Sequence, residues 1–316
     1  MRFLPALAAL VLLGAGCSAL DDDPAGDGEV RVAAATYPLA WVAERLSEGT
    51  GTKVDLLTRP GGEAHDLELG VQETALVADA DLVVLQGGFQ PAVEETVAQN
   101  ATGRVLDAAD VVDLVAIDES HEEHAAHDGH GDEHAEESHD HHGHGDTDPH
   151  FWLDPIRMVA LGEEVADLLA AVDPEHAERY RENLETLRTD LVDLDETWTA
   201  GLERCARDTI VVSHDAFGYL EKYGLEVASI VGLSPDAEPT GAALGELQQL
   251  IRREGITTVF SEPLKPALGK NLARDLGLTE GVLDPIEGLS KDSSDEDYLS
   301  LMEANLEAIR AANGCR

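Results

Sequence analysis

Residues 30–60, VRVAAATYPLAWVAERLSEGTGTKVDLLTRP, decide the fold class. The short apolar run 30–35 reads as a strand, the longer segment 39–47 as a helix, and 53–58 as a second strand. The pattern continues with a helix over 71–78 and a strand over 81–86. It returns in the second half with strands at 209–213, 226–231, 257–261 and 281–284 and helices between them and at the end. Strand then helix, repeated, is the signature of parallel α/β sheets, so the chain reads as two α/β lobes.

The clearest helical signal lies between the lobes. Asp173 is an expected N-cap and Pro174 an expected first helical residue. From there Tyr180, Leu184, Leu187, Leu191, Leu194 and Trp198 keep one face apolar to about residue 200. At 1.5 Å per residue such a helix spans about 40 Å, long enough to be a stiff spine between lobes. The alternative is a helical hairpin folded onto one lobe with 156–171 as its partner. The organisation is therefore a first lobe over 30–155, connecting helices over 156–204 and a second lobe over 205–316.

With 21 Lys+Arg against 64 Asp+Glu the net charge is −43. That field repels phosphate backbones and anionic headgroups, which argues against nucleic-acid binding, and it concentrates cations. Residues 1–16 combine Arg2, an apolar run and small residues, as a secretory signal does. Cys17 stands where a lipobox places its lipidated cysteine, and the acidic, Gly-rich stretch 17–29 reads as a flexible tether. These features imply an extracytoplasmic protein anchored by lipid to the outer face of a bacterial cell membrane. Cys205 and Cys315 remain, an even pair in an oxidising compartment, so a disulfide is expected; two free thiols or soft metal ligands are the alternatives.

Nine of the 13 histidines lie in a low-complexity stretch: His121, His124, His127, His130, His134, His139, His141, His142 and His144. Residues 119–148 hold almost nothing that could be buried, so a disordered loop with several weak zinc sites is expected there. Outside it, His65 follows the strand 53–58 in a Gly-rich turn, and His214 directly follows another strand. Asp284 ends the strand that begins at Gly281. Open α/β sheets bind ligands beyond the carboxyl ends of their strands, so these three side chains can meet in one cleft. His150 enters the helix after the acidic loop. Three imidazoles and one carboxylate are a closed set of the kind tetrahedral zinc accepts. Glu262, at a strand end, is placed to orient a ligating imidazole through its second nitrogen.

Other notable residues have structural readings. His176 belongs to a solvated helix turn, while Asp154 before Pro155, and Asp215, read as helix caps. Gly87 and Gly88 come without a G-x-G-x-x-G pattern or a Walker lysine, so no nucleotide site is expected.

The segments PGGEAHD, DPHFWLDP, SHDAFGYLEKYGL, GLSPDAEPT, VFSEPL and LDP, in that order, resemble zinc-specific substrate-binding proteins of bacterial ABC transporters, the metal-binding cluster A-I solute-binding family. The resemblance implies two α/β lobes joined by a long rigid helix, with metal between them held by His65, His150, His214 and Asp284. It implies a lipid-anchored, non-enzymatic monomer that delivers zinc to a membrane permease. A histidine at 214 and the His-rich loop favour zinc over the manganese of related proteins. Ala64 departs from the commoner family turn, so no ligand role passes to Glu63. Rival readings are manganese uptake, a stationary zinc buffer or adhesion factor, and a zinc hydrolase with Glu262 as general base.

Overall fold

The computed structural model describes residues 29–117, 147–291 and 293–316. The expected signal 1–16, Cys17 and all nine loop histidines lie outside them. The first lobe is a parallel sheet of β1 (Arg31–Ala34), β2 (Lys53–Leu56), β3 (Leu82–Leu85) and β4 (Arg104–Asp107) in the order β2-β1-β3-β4. Val32, Ala33 and Ala34 of β1 and all of β3 are buried, as central parallel strands covered on both faces must be. The crossovers are α1 (Tyr37–Leu46), α2 (Val71–Asp79) and α3 (Pro91–Asn100). The pair α3 and β4 has no counterpart in the sequence reading. In α3 only Val93 and Val97 are buried, and β4 is an edge strand whose Arg104 and Val105 are exposed, so neither carries a strong apolar period.

The expected spine is present with a different start. Pro174–His176 is a 3-10 turn, and the α-helix runs Ala177–Leu202 (α5), 26 residues or about 39 Å. Asp173 caps nothing with its side chain; its Oδ2 instead accepts from Tyr180 (2.8 Å) and lies 2.7 Å from His176 Nδ1, so His176 is paired on the surface. Spine and hairpin coexist. α5 turns back along α4 (Pro155–Val172), where Gly162 lets Leu187 approach closely, and it also touches α1 of the first lobe and α8 (Tyr298–Asn313) of the second. Its buried face is Tyr180, Leu187, Leu191, Leu194, Trp198 and Leu202.

The second lobe has two parallel pairs, β5 (Thr209–Val212) with β6 (Glu226–Ser229) and β7 (Thr258–Ser261) with β8 (Thr279–Val282), and β5 lies beside β7. Helices α6 (Gly241–Glu254) and α7 (Ala267–Leu276) cover the outer face, each closed by a left-handed glycine, Gly255 and Gly277. The segment expected to be a helix capped by Asp215 is instead a 3-10 turn, Gly218–Tyr223, entered from Phe217. A disulfide joins Cys205, just after α5, to Cys315, just after α8. No helix among the described residues is long and apolar enough to cross a membrane.

Candidate metal centre

Each candidate ligand arrives on a connection at the carboxyl end of a strand or at a helix entrance. His65 sits in the β2–α2 connection, His150 at the entrance to α4, His214 directly after β5, and Glu287 after β8. Their donor atoms all lie within 4.8 Å of one another. The three Nε2 atoms stand 3.3 Å (His65), 3.4 Å (His150) and 3.2 Å (His214) from Glu287 Oε1. Donors around tetrahedral zinc, with bonds of about 2.0–2.1 Å, are separated by roughly 3.3–3.4 Å, so these three distances match the three edges that meet at one corner of such a tetrahedron. All four side chains are buried, at 6, 0, 1 and 4% exposure in chain order, so an ion here would be shut off from solvent. Nε2 of His150 and of His214 are buried without a hydrogen-bond partner, the condition of donors kept for an ion rather than for a neighbour.

The sequence reading puts Asp284 in this set, and the structure puts Glu287 there instead. Asp284 follows β8 by the same two residues that separate His214 from β5, so its distance from the strand does not exclude it; the direction of its side chain does. Its carboxylate is turned onto its own backbone, where Oδ1 accepts from the Ile286 N–H at 2.8 Å, an Asx turn. Asn305 from α8 pins the same residue by accepting from its N–H and donating to its C=O. Ile286 then adopts φ +59°, a left-handed conformation that is a true outlier for a β-branched residue. That turn swings position 287 toward the histidines, and Trp152 Nε1 holds it by donating to Pro285 O at 2.8 Å. The only sequence trace of Glu287 is a second carboxylate in LDPIEGLS, three residues on.

The histidines are oriented from behind. Glu262 Oε1 lies 2.7 Å from His214 Nδ1, as an orienting carboxylate should. Asp148 Oδ1 does the same for His150 Nδ1 at 2.8 Å, and also accepts from the His150 N–H. Composition makes Asp148 the end of the acidic loop, but Thr147 already pairs with Ala116 and Tyr219 donates to Asp148 O. The repeated Asp-Pro of DPHFWLDP marks it: Asp154 caps α4 through Ile156 N–H, and Asp148 serves the histidine. Phe89 meets His65 edge-on at 4.6 Å and packs on Trp152, closing the inner side with apolar rings.

The electrostatics suit a cation. Burial pushes His150 down, but Asp148 and Glu287 outweigh it and hold the imidazole at about 9. Burial opposes charge on His214 as well, yet Glu262 and Glu287 raise it to about 10. Burial alone would lift Glu287, but the three histidines keep it well below the usual carboxylate range. Asp284 is pushed up by burial, opposed by the Ile286 N–H and helped by Glu287 and Glu262, to about 6. The raised values of His150 and His214 mean that the buried acidic groups around them favour positive charge at this place.

Comparison with known proteins gives a consistent result. The family described as ZnuA, zinc-uptake complex component A, periplasmic, matches residues 32–312. The zinc-binding lipoprotein AdcA of Streptococcus pneumoniae is 31% identical over 97% of this chain, which spans 59% of that lipoprotein's length. The high-affinity zinc uptake system protein ZnuA of Bacillus subtilis is 30% identical over 96% of this chain and 95% of its own. The crystal structure of the Zn(II)-bound ZnuA-like domain of Streptococcus pneumoniae AdcA superposes with a TM-score of 0.70 at 27% identity, over 90% of this chain and 99% of that one.

Proposed function

We propose that this chain, which belongs to the ZnuA family of zinc-uptake components, captures zinc outside the cytoplasm and delivers it to an ABC permease in the membrane. His65, His150, His214 and Glu287 hold the ion, Glu262 and Asp148 orient two of the imidazoles, and Asp284 shapes the turn that presents Glu287. The observation that carries this reading is the set of 3.2–3.4 Å separations between one carboxylate oxygen and three imidazole nitrogens. Three nitrogens and one oxygen in a tetrahedral cage suit zinc, whereas manganese prefers more oxygen donors and a larger coordination number.

Four protein ligands close the coordination sphere, so no position remains for the water a zinc hydrolase needs. The protein is accordingly a carrier with zinc as cargo. It works as a monomer held to the outer face of the membrane through lipid on Cys17, and the loop histidines add weaker zinc sites that raise the local supply. Metal analysis of protein purified without added metal, followed by chelator competition, tests the reading. One tight zinc per chain is expected, together with the intense visible bands of tetrahedral cobalt on substitution. A six-coordinate cobalt spectrum, or manganese as the retained metal, would overturn it.

A further inference from the structure

The four candidate ligands are too buried for an ion to enter or leave without movement. On the inner side the wall is Phe89 and Trp152, which pack on the histidines and are fully buried in the main core, and which cannot yield cheaply. A small cavity reaches the candidate ligand Glu287 and is walled also by Glu63, Glu262, Lys265 and Asp284. Four connections meet there, the one after β8 that carries Glu287 and three more. Lys265, between β7 and α7, places its Nζ 2.9 Å from Glu63 Oε2 and 2.6 Å from Asp236 Oδ2. Glu63 belongs to the first lobe, two residues before His65, and Asp236 lies in the β6–α6 connection of the second.

We propose that Lys265 is a positioning residue that latches the His65-bearing loop of the first lobe to the second lobe and so sets the rate at which bound metal is released. The inference rests on the assignment of the metal site above. Lys265 and Glu63 are 28% and 25% exposed, so their attraction is only partly screened. A second tie, Gly61 N–H to Leu289 O at 2.7 Å, joins two loops that both carry candidate ligands and can move with them as a unit. The Lys265 pair is different because it ties that unit to the α7 layer, which holds no ligand. Breaking it frees the loop without touching a donor atom.

The test is stopped-flow release of zinc from the full chain into excess chelator, with cobalt spectra recorded alongside. Lys265→Met keeps the aliphatic stem and removes the charge; it is expected to release zinc about fivefold faster, with an unchanged tetrahedral cobalt spectrum. Lys265→Arg should restore a rate within about twofold of the original, and Lys270→Met, on the exposed face of α7, should release at the original rate. Equal rates for Lys265→Met and the unsubstituted protein would overturn the latch while leaving the site intact. Loss of the tetrahedral spectrum in Lys265→Met would also overturn it, by showing a part in the coordination itself. An unsubstituted protein that gave no tetrahedral spectrum would overturn site and latch together.

Discussion

The described residues form two hydrophobic cores of unequal size, and the candidate site sits on one of them. The larger runs through the first-lobe sheet, α4, α5 and α8, and the inner sides of β5 and β7. The smaller, beneath α6 and α7, consists of Val211, Ile230, Val231, Leu247, Ile251, Ile256, Val259, Leu272 and Ala273. Ala64, Phe151, Trp152 and Ile286, each next to a candidate ligand, belong to the larger core, whereas Lys265 and Asp236 are on loops of the α6–α7 layer. The difference separates two demands: fixed donor geometry needs a packed support, and passage of an ion needs a part that gives. The candidate ligands therefore sit on the stiff body, and the proposed latch belongs to the layer with less to hold it.

The largest effect should come from emptying the main core. Trp198 is fully buried in α5 between the lobes, and Trp198→Ala should cost about 3–5 kcal/mol in urea unfolding. A cost below about 1 kcal/mol would show that the spine is not part of a shared core. Reducing the Cys205–Cys315 bond, which closes a chain segment with a separation of 110 residues, should come next, with a loss of about 2–4 kcal/mol, the range usual for native disulfides. It joins the ends of α5 and α8 away from the ligands, so zinc affinity measured with and without reductant should agree within about threefold.

Acidity should act on the site more than on either core. Zinc needs neutral imidazoles, and His150 and His214 hold protons up to about 9 and 10 in the metal-free protein. Below those values each ion displaces those protons, so affinity rises with pH and falls as it drops. With two protons released, the change is about a hundredfold per pH unit near neutrality. Glu287 is held well below its ordinary value and stays ionised over this range. Calorimetry in two buffers of different ionisation enthalpy should reveal the protons, and identical heats would contradict the assignment. The smallest effect is reserved for the outer layer. Leu247→Ala should cost about 2 kcal/mol, speed amide exchange in α6 and leave zinc affinity within about threefold; a large loss of affinity would erase the distinction between the cores.

Much of this was legible in the sequence because it is written in local periodicity. The strand-helix alternation of residues 30–60 and the spaced seam from Tyr180 to Trp198 each announce their partners through burial alone. Likewise His65 and His214 stand out by their place after strands. Glu287 does not, because its position depends on an Asx turn at Asp284 and a left-handed Ile286 held by Asn305 and Trp152. Those contacts come from α8 and the entrance to α4, too far along the chain for any local rule to register. Asp148 is hidden by its acidic neighbours, since composition assigns it to the loop while its hydrogen bonds assign it to His150.

The choice of carboxylate is the most direct test of the whole account, and chelator competition on Glu287→Gln and Asp284→Asn decides it. Both substitutions keep size and remove charge, and the amide introduced by Asp284→Asn would retain an oxygen that can accept from the Ile286 N–H. The account predicts that Glu287→Gln weakens zinc binding by at least about a hundredfold, while Asp284→Asn stays within about threefold of the unsubstituted protein. The reverse result, with affinity lost in Asp284→Asn and kept in Glu287→Gln, would contradict it.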